Sequence, residues 1–549
     1  MARHHRMTSS LLVGRIAVTC ITVALLVWPA QAHAARGSVA PYKGLSSQQR
    51  ATLLGIARTT WKFYSTDVDS TTHLPMDNVT FAGGARTPTT YGRYTSSANV
   101  GLYFWAVVAA SDLGIISRSQ AAARLLPTIR ELNTMQRYDG FLYQWYDTTT
   151  GHVLKNPNDT DCSKEITPTF DNCYFISNVD NGLYVSGLIV ARNALPQLRT
   201  QIQTLMAPVD FSIFYDARPE TQCNVNADVV GNQPTGQMFG GVYVGLPVSE
   251  GKNWQHYYHN GALYSDPRIS AYIGMGMHQM PGNVWWRSWR ILPPKQCATD
   301  PDFSWQGQPQ TPGATGAWQM YKDPRSGEQF KVWEGHYTYP GSTLTFIPTF
   351  NGGMFEGLMD NQVVPETSWG PHSFGLNDLR WAEVQMKYAT EQLHYKVWGI
   401  SPSSTPDDTG GYNAYGAGGT KLPIHQRTAI CTSAPDDKHP DVTVACAPED
   451  TVSPHASFIA LDVLPKQAFQ NIQRLRRLYP GVYGVDGFFD ALDPTTGKVG
   501  HRYLVLDQSM IMASLDNAIK NRALQRHFAH DPVSDAAHTY LSYETMSIH

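Results

Sequence analysis

Residues 98–113 read ANVGLYFWAVVAASDL, and their pattern decides how the rest of the chain is interpreted. Apolar side chains recur in this stretch at spacings of three and four residues, at Val100, Tyr103, Phe104, Val107 and Val108. Such spacing places side chains on one face of an α-helix. The stretch therefore predicts an amphipathic helix that buries this face.

The same periodicity recurs along the chain and predicts about twelve helices separated by long loops that are rich in polar and aromatic residues. Another of them, Arg118 to Met135, follows Ser117, a residue type that commonly caps a helix N-terminus. The others are Gln48 to Tyr64, Asn181 to Ala194, Pro196 to Met206, Pro267 to Met277, Asn283 to Trp289, Met354 to Met359, Leu376 to Tyr395, Pro454 to Leu464, Lys466 to Leu478 and Gln508 to Arg526.

Alternating apolar and polar residues predict short β-hairpins between the helices. One runs over residues 141–146 and turns at 147–151, and another runs over 331–346 around Pro340-Gly341. The turn at 147–152 is echoed at 493–498. This echo indicates either reuse of one helix-loop-helix unit or two copies of a common turn.

Helix pairs joined by alternating short and long loops suit a closed ring. We therefore predict an all-α fold, an (α/α)6 barrel (toroid), with short β-hairpins and long loops gathered at one end around a wide cleft. An open helical bundle or solenoid is the alternative. No change in composition divides the chain, so we expect residues 35–549 to form a single catalytic domain.

Residues 1–34 have the features of a signal peptide. Arg3 and Arg6 precede an apolar run from Ile16 to Val27, and Ala32-His33-Ala34 offers the small residues that a signal peptidase accepts. The apolar run is too short for a helix that spans about 30 Å of hydrocarbon. We expect cleavage after Ala34 and a secreted or periplasmic protein with no membrane partner; an uncleaved anchor is the alternative.

Composition narrows the range of partners. The chain has 549 residues with 42 basic and 45 acidic side chains, and loss of three leader arginines makes the net charge −6. A protein that tracks nucleic-acid phosphates usually carries a basic face, so we expect no nucleic-acid partner. Charged residues are 16% and aromatic residues 11% of the chain, which favours a large core over disorder. The oligomeric state is left open.

The number of cysteines predicts disulfide bonds. Of seven cysteines, Cys20 lies in the leader, and an even number of six remains in an exported chain. Proximity pairs Cys162 with Cys173 and Cys431 with Cys446, which leaves Cys223 for Cys297. Other connectivities stay open.

Motifs for nucleotide, zinc-protease and serine-hydrolase chemistry (GxGxxG, GxxxxGK[ST], HExxH and GxSxG) are absent from the sequence. We therefore expect no cofactor and no metal. What remains is a set of carboxylates placed among aromatic residues and glycines. The segments are Trp145-Tyr146-Asp147, Ser177 to Gly182, Ser265 to Arg268, Trp333 to Tyr337, Gly352 to Glu356, Tyr483 to Asp490 and Leu506-Asp507-Gln508.

Carboxylates among aromatic rings suit carbohydrate chemistry. Glycosidic cleavage needs one carboxylic acid to protonate the leaving oxygen and a second carboxylate to activate water or attack the sugar. Aromatic faces stack on sugar rings and partly desolvate neighbouring carboxyl groups, which raises their pKa. Asp180, Asp266 and Asp507 also stand where helices begin, so helix capping is the alternative interpretation for each of them.

These segments resemble the glycoamylase-like domain family, which includes bacterial endo-β-1,2-glucanases and the transglycosylating domain of cyclic β-1,2-glucan synthases. The matching stretches, whose order is more specific than any one of them, are 97–103, 175–188, 266–276, 350–359, 398–401, 455–458, 483–493 and 503–510. The resemblance implies an α/α barrel that hydrolyses a β-glucan, with β-1,2-glucan as the expected substrate.

The resemblance also implies individual roles. Asp490 corresponds to the glucanase base. Asp266 falls nearest to the glucanase acid, which is a Glu and so one methylene longer, and Glu356 is the alternative acid. Two departures weaken the match, since Leu183 replaces a Glu of the glucanases and Pro402 replaces a Glu of the synthase-like relatives.

The residues expected to bind the sugar chain are Asp180, Asn181, Trp145, Glu334, His336 and Trp398. The sequence thus predicts a secreted glycoside hydrolase acting on a polysaccharide or oligosaccharide, an inverting endo-β-1,2-glucanase. One alternative is a polysaccharide lyase on the same toroid, which would need a cleft lined with Arg or Lys and a Tyr or His base. The other is a non-catalytic glycan-binding protein with a degenerate site.

Overall fold

A computed structural model describes residues 37–157, 162, 173–217, 236–244, 254–256, 259–291, 315–349, 352–418 and 450–548. Its α-helices are α1 (Ser47–Thr60), α2 (Tyr64–Asp67), α3 (Ser97–Asp112), α4 (Arg118–Thr134), α5 (Asn178–Ala194), α6 (Arg199–Met206), α7 (Arg268–Gly276), α8 (Asn283–Arg287), α9 (Met354–Leu358), α10 (Glu366–Trp369), α11 (Phe374–Lys387), α12 (Pro454–Ile459), α13 (Pro465–Leu478), α14 (Val505–Ile519), α15 (Ala523–Ala529) and α16 (Ser534–Tyr543).

Its β-strands are short. They are β1 (Asn78–Thr80), β2 (Thr90–Gly92), β3 (Tyr94–Thr95), β4 (Arg137–Tyr138), β5 (Phe141–Leu142), β6 (Trp145–Asp147), β7 (Val153–Leu154), β8 (Phe175–Ser177), β9 (Gly241–Val244), β10 (Trp254–His256), β11 (Thr315–Lys322), β12 (Gln329–Thr338), β13 (Thr345–Phe346), β14 (Ser403–Ser404), β15 (Tyr412–Asn413), β16 (Tyr483–Gly484), β17 (Gly487–Phe488), β18 (Ala491–Leu492), β19 (Val499–Gly500) and β20 (Arg502–Leu504). They pair as antiparallel sheets of two or three strands.

Several helices are buried on every side rather than on one face. Every residue of α3 from Ser97 to Ala110 is buried, and α5, α7 and α14 are nearly as inaccessible. A helix enclosed all round lies in the core of a large fold, so the amphipathic character predicted for residues 98–113 is wrong. The helices α1, α4 and α13 do bury one face and expose the other.

Helix ends follow local signals. Ser117 caps α4, since its Oγ accepts from the Gln120 nitrogen at 3.2 Å while its own nitrogen donates to Gln120 Oε1 at 2.8 Å. The predicted helix from Gln508 to Arg526 is instead two helices, α14 and α15. The chain breaks between them because Asn521 and Arg522 have φ values of 57° and 62°, outside the right-handed helical region.

Six helices, α3, α5, α7, α9, α12 and α14, are termed here the core helices, and their first turns lie next to one another. The backbones of α3 and α5 meet where Gly101 lies against Leu183. Ser270 Oγ of α7 donates to the Asn178 carbonyl of α5 at 2.9 Å. Arg268 of α7 donates in turn to the Gly357 carbonyl of α9.

The series of contacts continues to α12 and α14. The Phe355 ring of α9 lies 6.0 Å from the His455 ring of α12, and His455 Nδ1 lies 3.3 Å from Asp507 Oδ1 of α14. Asp77 then joins α14 to α3, because its carbonyl accepts from Val505 N at 3.0 Å and its carboxylate accepts from Asn99 Nδ2 at 2.8 Å. The contacts thus return to the helix at which they began.

Short sheets lie at the same end as these first turns. One residue, Ser96, separates β3 from α3, while β8 and β20 lead directly into α5 and α14. The hairpin predicted to turn at 147–151 joins β6 to β7, and the one predicted around Pro340-Gly341 joins β12 to β13. Both hairpin predictions are confirmed.

One turn geometry occurs three times. Asp147, Asp323 and Asp493 each use Oδ1 to accept the backbone N–H groups two and three residues later, at 2.7–3.0 Å. Each turn closes on a glycine with φ between 70° and 77°, a region that favours glycine. The turns join β6 to β7, β11 to β12 and β18 to β19.

Cys162 and Cys173 form a disulfide, as predicted, with their Cα atoms 5.6 Å apart. The other two predicted pairs, Cys431–Cys446 and Cys223–Cys297, lie outside the described residues, as does the predicted leader.

Residues Gly37–His549 form one compact unit, and the domain boundary at residue 35 stays a prediction. Among the helices that the structure describes, none combines the length and apolar character needed to cross a membrane.

Candidate active site

Acidic side chains occupy the first turns of three of the core helices and the approach to a fourth. Asp180 lies in the first turn of α5, Glu356 in that of α9 and Asp507 in that of α14, while Asp266 stands two residues before α7. The N-cap position of each of these helices is held by another residue, so the N-cap role is wrong, whereas the favourable helix dipole still applies to Asp180 and Asp507. Because these first turns are neighbours, the carboxylates gather at one end, where helix N-termini favour negative charge.

Asp490 lies between β17 and β18 and is 2% exposed. Its Oδ2 atom accepts the backbone N–H of Ser404 at 2.5 Å, and its own backbone nitrogen donates to the Arg502 carbonyl at 3.0 Å. The carboxylate is therefore held between β14 and β20 with one oxygen committed to a backbone donor.

His455 lies in the first turn of α12 and faces two carboxylates. Its Nδ1 atom lies 3.3 Å from Asp507 Oδ1 and 3.9 Å from Asp490 Oδ1. Burial lowers the pKa of the imidazole to about 4 against the opposing charge of Asp490. Burial also raises the pKa of Asp507 well above its usual range, and the charge of Asp490 adds to this effect. We term His455, Asp490 and Asp507 the Asp490 cluster.

The Asp490 cluster also has the spacing of a metal site. One ligand atom from each of its three residues lies within 4.8 Å of the others. By distance alone, one imidazole nitrogen and two carboxylate oxygens at this spacing can hold a divalent cation.

Asp77 extends this cluster toward α3 and was not predicted from the sequence. Asn99 Nδ2 and Asn78 Nδ2 donate to its carboxylate at 2.8 Å and 2.9 Å. Burial raises the pKa of Asp77, and these hydrogen bonds partly offset that rise. The segment around Asp77 has none of the flanking glycines or aromatic residues used to select the other carboxylates, which explains why it was missed.

Asp180 and Asp266 form a second group of carboxylates, at the starts of α5 and α7. Gln144 Nε2 donates to Asp180 Oδ2 at 2.6 Å, and Ser265 Oγ donates to Asp266 Oδ1 at 3.0 Å. Burial raises the pKa of Asp266 to about 6, with a further contribution from the charge of Asp180. A carboxyl group with this pKa is still protonated in mildly acidic solution, as a general acid must be.

Glu356 shares its surroundings with Asp490 through Tyr412. Tyr412 stands opposite Ser404 in the β14–β15 hairpin, and its side chain is 48% exposed. Burial of its hydroxyl end raises the pKa of Tyr412, and the charges of Asp507, Asp490 and Glu356 raise it further. The charges of Asp490, the predicted base, and of Glu356, one of the two predicted acids, therefore both raise the pKa of the Tyr412 hydroxyl.

Arg268, two residues after Asp266, ties the start of α7 to its neighbours. Its Nε and Nη2 atoms donate to the two carboxylate oxygens of Glu366, both at 2.8 Å. Asp360 and Asp378 lie 3.6 Å and 3.9 Å from the same guanidinium, and all four side chains are fully buried. This ion cluster fixes the backbone that carries Asp266, and no sequence motif pointed to it.

Two predicted sugar-binding residues lie near Asp180. Trp145 on β6 is half-buried, with its ring 5.7 Å from the Tyr94 ring. Asn181 is fully buried and exchanges hydrogen bonds with the backbone of Leu142 at 2.9 Å in both directions. Asn181 thus fastens β5 to α5, and the sugar contacts of Asn181 and Trp145 stay predictions.

Glu334 and His336, on β12, pack against other parts of the fold. Glu334 is fully buried, 3.8 Å from the Arg290 guanidinium that also binds Glu544. Burial, with the charge of Glu544, raises the pKa of Glu334 to about 8. His336 Nε2 lies 2.9 Å from Thr315 Oγ1 across the β11–β12 pair. Both residues therefore stabilise this sheet, and their role in sugar binding stays a prediction.

Trp398 lines a separate cavity of about 720 Å³ between α11 and α13. Its walls include Arg380, Lys387, Gln470 and Arg474, and none of the predicted catalytic carboxylates lines it. Trp398 is itself 2% exposed. The structure does not bring Trp398 together with the predicted catalytic residues.

Two family models match parts of this chain. Residues 309–532 match the Glycoamylase family, described as "Putative glucoamylase", and residues 55–213 match the DUF3131 family, described as a protein of unknown function. The first range includes Glu356 and the whole Asp490 cluster, and the second includes Asp77 and Asp180. The family resemblance inferred from the sequence is confirmed.

A curated relative is the cyclic β-(1,2)-glucan synthase NdvB of Rhizobium meliloti (strain 1021), which is 23% identical to this chain over 557 residues. The match covers 88% of this chain and 18% of the synthase. The chain therefore spans less than a fifth of that relative's length.

Two solved structures share the fold. The β-1,2-glucanase from Parabacteroides distasonis has a TM-score of 0.59 at 15% identity, covering 91% of this chain and 60% of that one. The endo-β-1,2-glucanase from Chitinophaga pinensis, solved with sophorotriose and glucose, has a TM-score of 0.55 at 16% identity, covering 91% and 99%. These likenesses confirm the helix-rich fold, and the (α/α)6 barrel stays a prediction.

Proposed function

We propose that this chain is an exported glycoside hydrolase that cleaves β-1,2-glucan internally with inversion of configuration. The observation that carries the proposal is the buried carboxylate of Asp490, held by the Ser404 N–H beside carboxylates from the first turns of several core helices. Glycoside hydrolysis requires this kind of site, in which one carboxylate is kept ionised and another carboxyl group is kept protonated.

The proposal includes an (α/α)6 barrel in which the core helices form the inner ring. Its support is the series of contacts near the helix N-termini that runs from α3 through α5, α7, α9, α12 and α14 and returns to α3. In an open solenoid the first and last helices would not meet. A closed ring also accounts for the burial of α3 and α14 on every side.

Asp490 is the base in the proposed mechanism. Its carboxylate takes a proton from water, either directly or through a sugar hydroxyl, and the Ser404 N–H stabilises its negative charge. Either Asp266 or Glu356 protonates the leaving oxygen. The pKa of about 6 favours Asp266, while the charge of Glu356, which acts on the Tyr412 hydroxyl together with that of Asp490, favours Glu356. Inversion requires the two carboxyl groups to lie about 6.5–9.5 Å apart.

The substrate and the location follow from the relatives and from the disulfide. The relatives named above make or cleave β-1,2-glucan, and the Chitinophaga glucanase binds sophorotriose. Disulfides persist in oxidising compartments, so the Cys162–Cys173 bond supports export together with the predicted leader. Carboxylates, rather than Arg or Lys, dominate the cluster, which favours a hydrolase over a lyase.

The test is incubation of the purified chain with linear β-1,2-glucan and, in parallel, with β-1,3-, β-1,4- and α-1,4-glucans and a polyuronate. We expect new reducing ends from β-1,2-glucan alone, and an α-anomeric first product, because inversion of a β-linkage gives the α-anomer. Unsaturated products from the polyuronate would establish a lyase. Retention of glucan without new reducing ends would establish the non-catalytic alternative.

A further inference from the structure

The Asp490 cluster contains buried polar atoms that no hydrogen bond satisfies. Both ring nitrogens of His455, both carboxylate oxygens of Asp507 and Oδ1 of Asp490 are inaccessible and have no hydrogen-bond partner among the described residues. Buried polar atoms nearly always have a hydrogen-bond partner. Atoms without one therefore indicate that a proton, an ion or a ligand atom binds at this position.

The negative charge of this cluster has no compensating cation in the part of the chain that the structure describes. The ion pairs of Asp490 and Asp507 there involve His455 alone, and its low pKa keeps the imidazole neutral. The other groups that face the cluster are Asp77, Glu356 and Tyr412. Arg502 acts on Asp77.

Two adjacent buried carboxyl groups cannot both stay ionised without compensation. The cluster must therefore hold either a proton or a metal ion.

The surroundings of His455 favour a proton. A histidine that binds a metal almost always donates its other ring N–H to an acceptor that orients the ring. Neither ring nitrogen of His455 has such a partner among the described residues. The spacing of the three ligand atoms would admit a cation, but the second acceptor that a metal site uses is missing.

Hydrogen bonding then decides which carboxyl group holds the proton. Asp490 Oδ2 accepts the Ser404 N–H at 2.5 Å, and such a bond stabilises the ionised form. Asp507 accepts no hydrogen bond from the described residues. The proton therefore belongs on Asp507, and the raised pKa of Asp507 agrees with this assignment.

We propose that Asp507 is a positioning residue that stays protonated beside Asp490 and donates its proton to Asp490 Oδ1 as a hydrogen bond. Asp490 then carries the single negative charge of the pair, with one oxygen held by Asp507 and the other by Ser404. Oδ2, which accepts the Ser404 N–H, keeps a second lone pair for the attacking water. The role of Asp490 as the base rests on the proposed function, whereas the proton on Asp507 is a property of the folded chain.

The first test compares Asp507→Asn with Asp507→Ala. Asn reproduces a protonated carboxyl group because its amide donates from the same position. On β-1,2-glucan we expect Asp507→Asn to keep kcat within about five-fold of the original chain and Asp507→Ala to lose about 100-fold, the scale of a misplaced catalytic group, with KM little changed in both. An Asn variant as inactive as the Ala variant would overturn the proposal, because the carboxylate itself would then be required.

The second test does not depend on activity. A carboxyl group whose pKa is higher in the folded than in the unfolded chain binds an extra proton when folded, so its contribution to stability falls as pH rises between the two values. The free energy of unfolding is measured by urea titration at a series of pH values from about pH 4 upward. It should fall with pH more steeply for the original chain than for Asp507→Asn, and the difference in slope should correspond to about one bound proton. Parallel curves would show that Asp507 is not protonated in the fold.

Asp535→Asn is the matched control for the second test. Asp535 also lies in the first turn of a helix, α16, but it is exposed. Its substitution makes the same chemical change and should leave the slope unchanged. If the chain hydrolyses no glucan, the proposed function fails while the urea titrations still decide the protonation of Asp507.

The third test addresses the metal ion. The chain is treated with EDTA, then titrated by calorimetry with Mn²⁺, Zn²⁺ and Ca²⁺, each alone. We expect no binding that depends on Asp507 and no change in hydrolysis after EDTA. Stoichiometric binding of one of these ions that Asp507→Asn abolishes would overturn the proposal and assign the cluster to that cation.

Discussion

The backbone nitrogen of Ser404 lies 2.5 Å from Oδ2 of Asp490, so a strand of the β14–β15 hairpin holds the carboxylate that we propose as the base. The Ser404 N–H both stabilises the ionised form and fixes its direction. Ser404→Pro removes this donor, and we expect kcat on β-1,2-glucan to fall about 10- to 100-fold. Ser404→Ala keeps the N–H and is the control. Equal kcat values for the two variants would show that the donor is not used.

Asp490→Asn should remove hydrolysis without unfolding the chain. The amide cannot accept a proton from water, and loss of a general base costs about 100- to 10,000-fold in rate. Reducing-end assays measure the loss, and circular dichroism with thermal melting checks the fold. Near-full activity would remove Asp490 from the mechanism, and Asp535→Asn, an exposed site, controls for the change in charge.

The identity of the acid is decided by substrates with different leaving groups. A general acid is needed for a sugar leaving group and much less for a nitrophenol, so the acid variant should lose activity on β-1,2-glucan but keep it on a nitrophenyl β-sophoroside. We expect this pattern for one of Asp266→Asn and Glu356→Gln. The same loss on both substrates, for both variants, would argue against an acid at either position.

The pH dependence identifies Asp266 independently. An acid must be protonated to act, and burial raises the pKa of Asp266 to about 6. If Asp266 is the acid, kcat/KM should therefore fall as the pH rises through about 6. Rates on β-1,2-glucan between pH 4 and 9, on the order of half-unit steps, measure this limb. A flat profile across pH 6 would leave Glu356 as the candidate.

The Arg268 ion cluster should matter for stability. Arg268→Met leaves Glu366, Asp360 and Asp378 buried without their cation, and breaking a buried pair in this way costs about 3–5 kcal/mol. Urea unfolding measures the free energy of unfolding of this variant against the original chain. A loss below about 1 kcal/mol would show that the neighbouring carboxyl groups take up protons and replace the missing charge.

The close approach of α3 and α5 gives a prediction with a matched control. A Cβ atom at Gly101 would lie 2.3 Å from the Leu183 carbonyl oxygen, whereas a Cβ at Gly55 in α1 would meet nothing within 4 Å. Gly101→Ala should therefore destabilise the chain by about 1–3 kcal/mol through overpacking. Gly55→Ala should stabilise it by up to about 1 kcal/mol. Equal effects in thermal unfolding would contradict the helix contact.

Apolar periodicity predicted the positions of most helices but not how far each helix is buried. Residues 98–113 show the three- and four-residue spacing of an amphipathic helix, yet α3 is enclosed on all sides, because the small residues between the large ones also pack against neighbours. The helix α16 was not predicted. Two of the residues on its buried face are Ala536 and Ala537, which give a weak apolar signal.

The sequence predicted the candidate site through two signals, because local composition selected the carboxylate segments and the family resemblance assigned roles to Asp490, Asp266 and Glu356. Asp490, Asp266 and Glu356 stand in segments rich in glycine or aromatic residues, and the structure places each near the start of a core helix or beside one. His455 and Asp77 carry no such mark. His455 and Asp77 lie near Asp490 and Asp507 because of the order of helices around the fold, and no short stretch of sequence encodes that order.

The gathering of carboxylates at one end of the core helices has a consequence for substrate choice. A neutral glucan meets no electrostatic barrier there, whereas a polymer that carries anionic groups would be repelled by those carboxylates that are ionised, and the repulsion would weaken with added salt. These carboxylates would thus favour binding of the unsubstituted polymer over binding of its anionic derivatives.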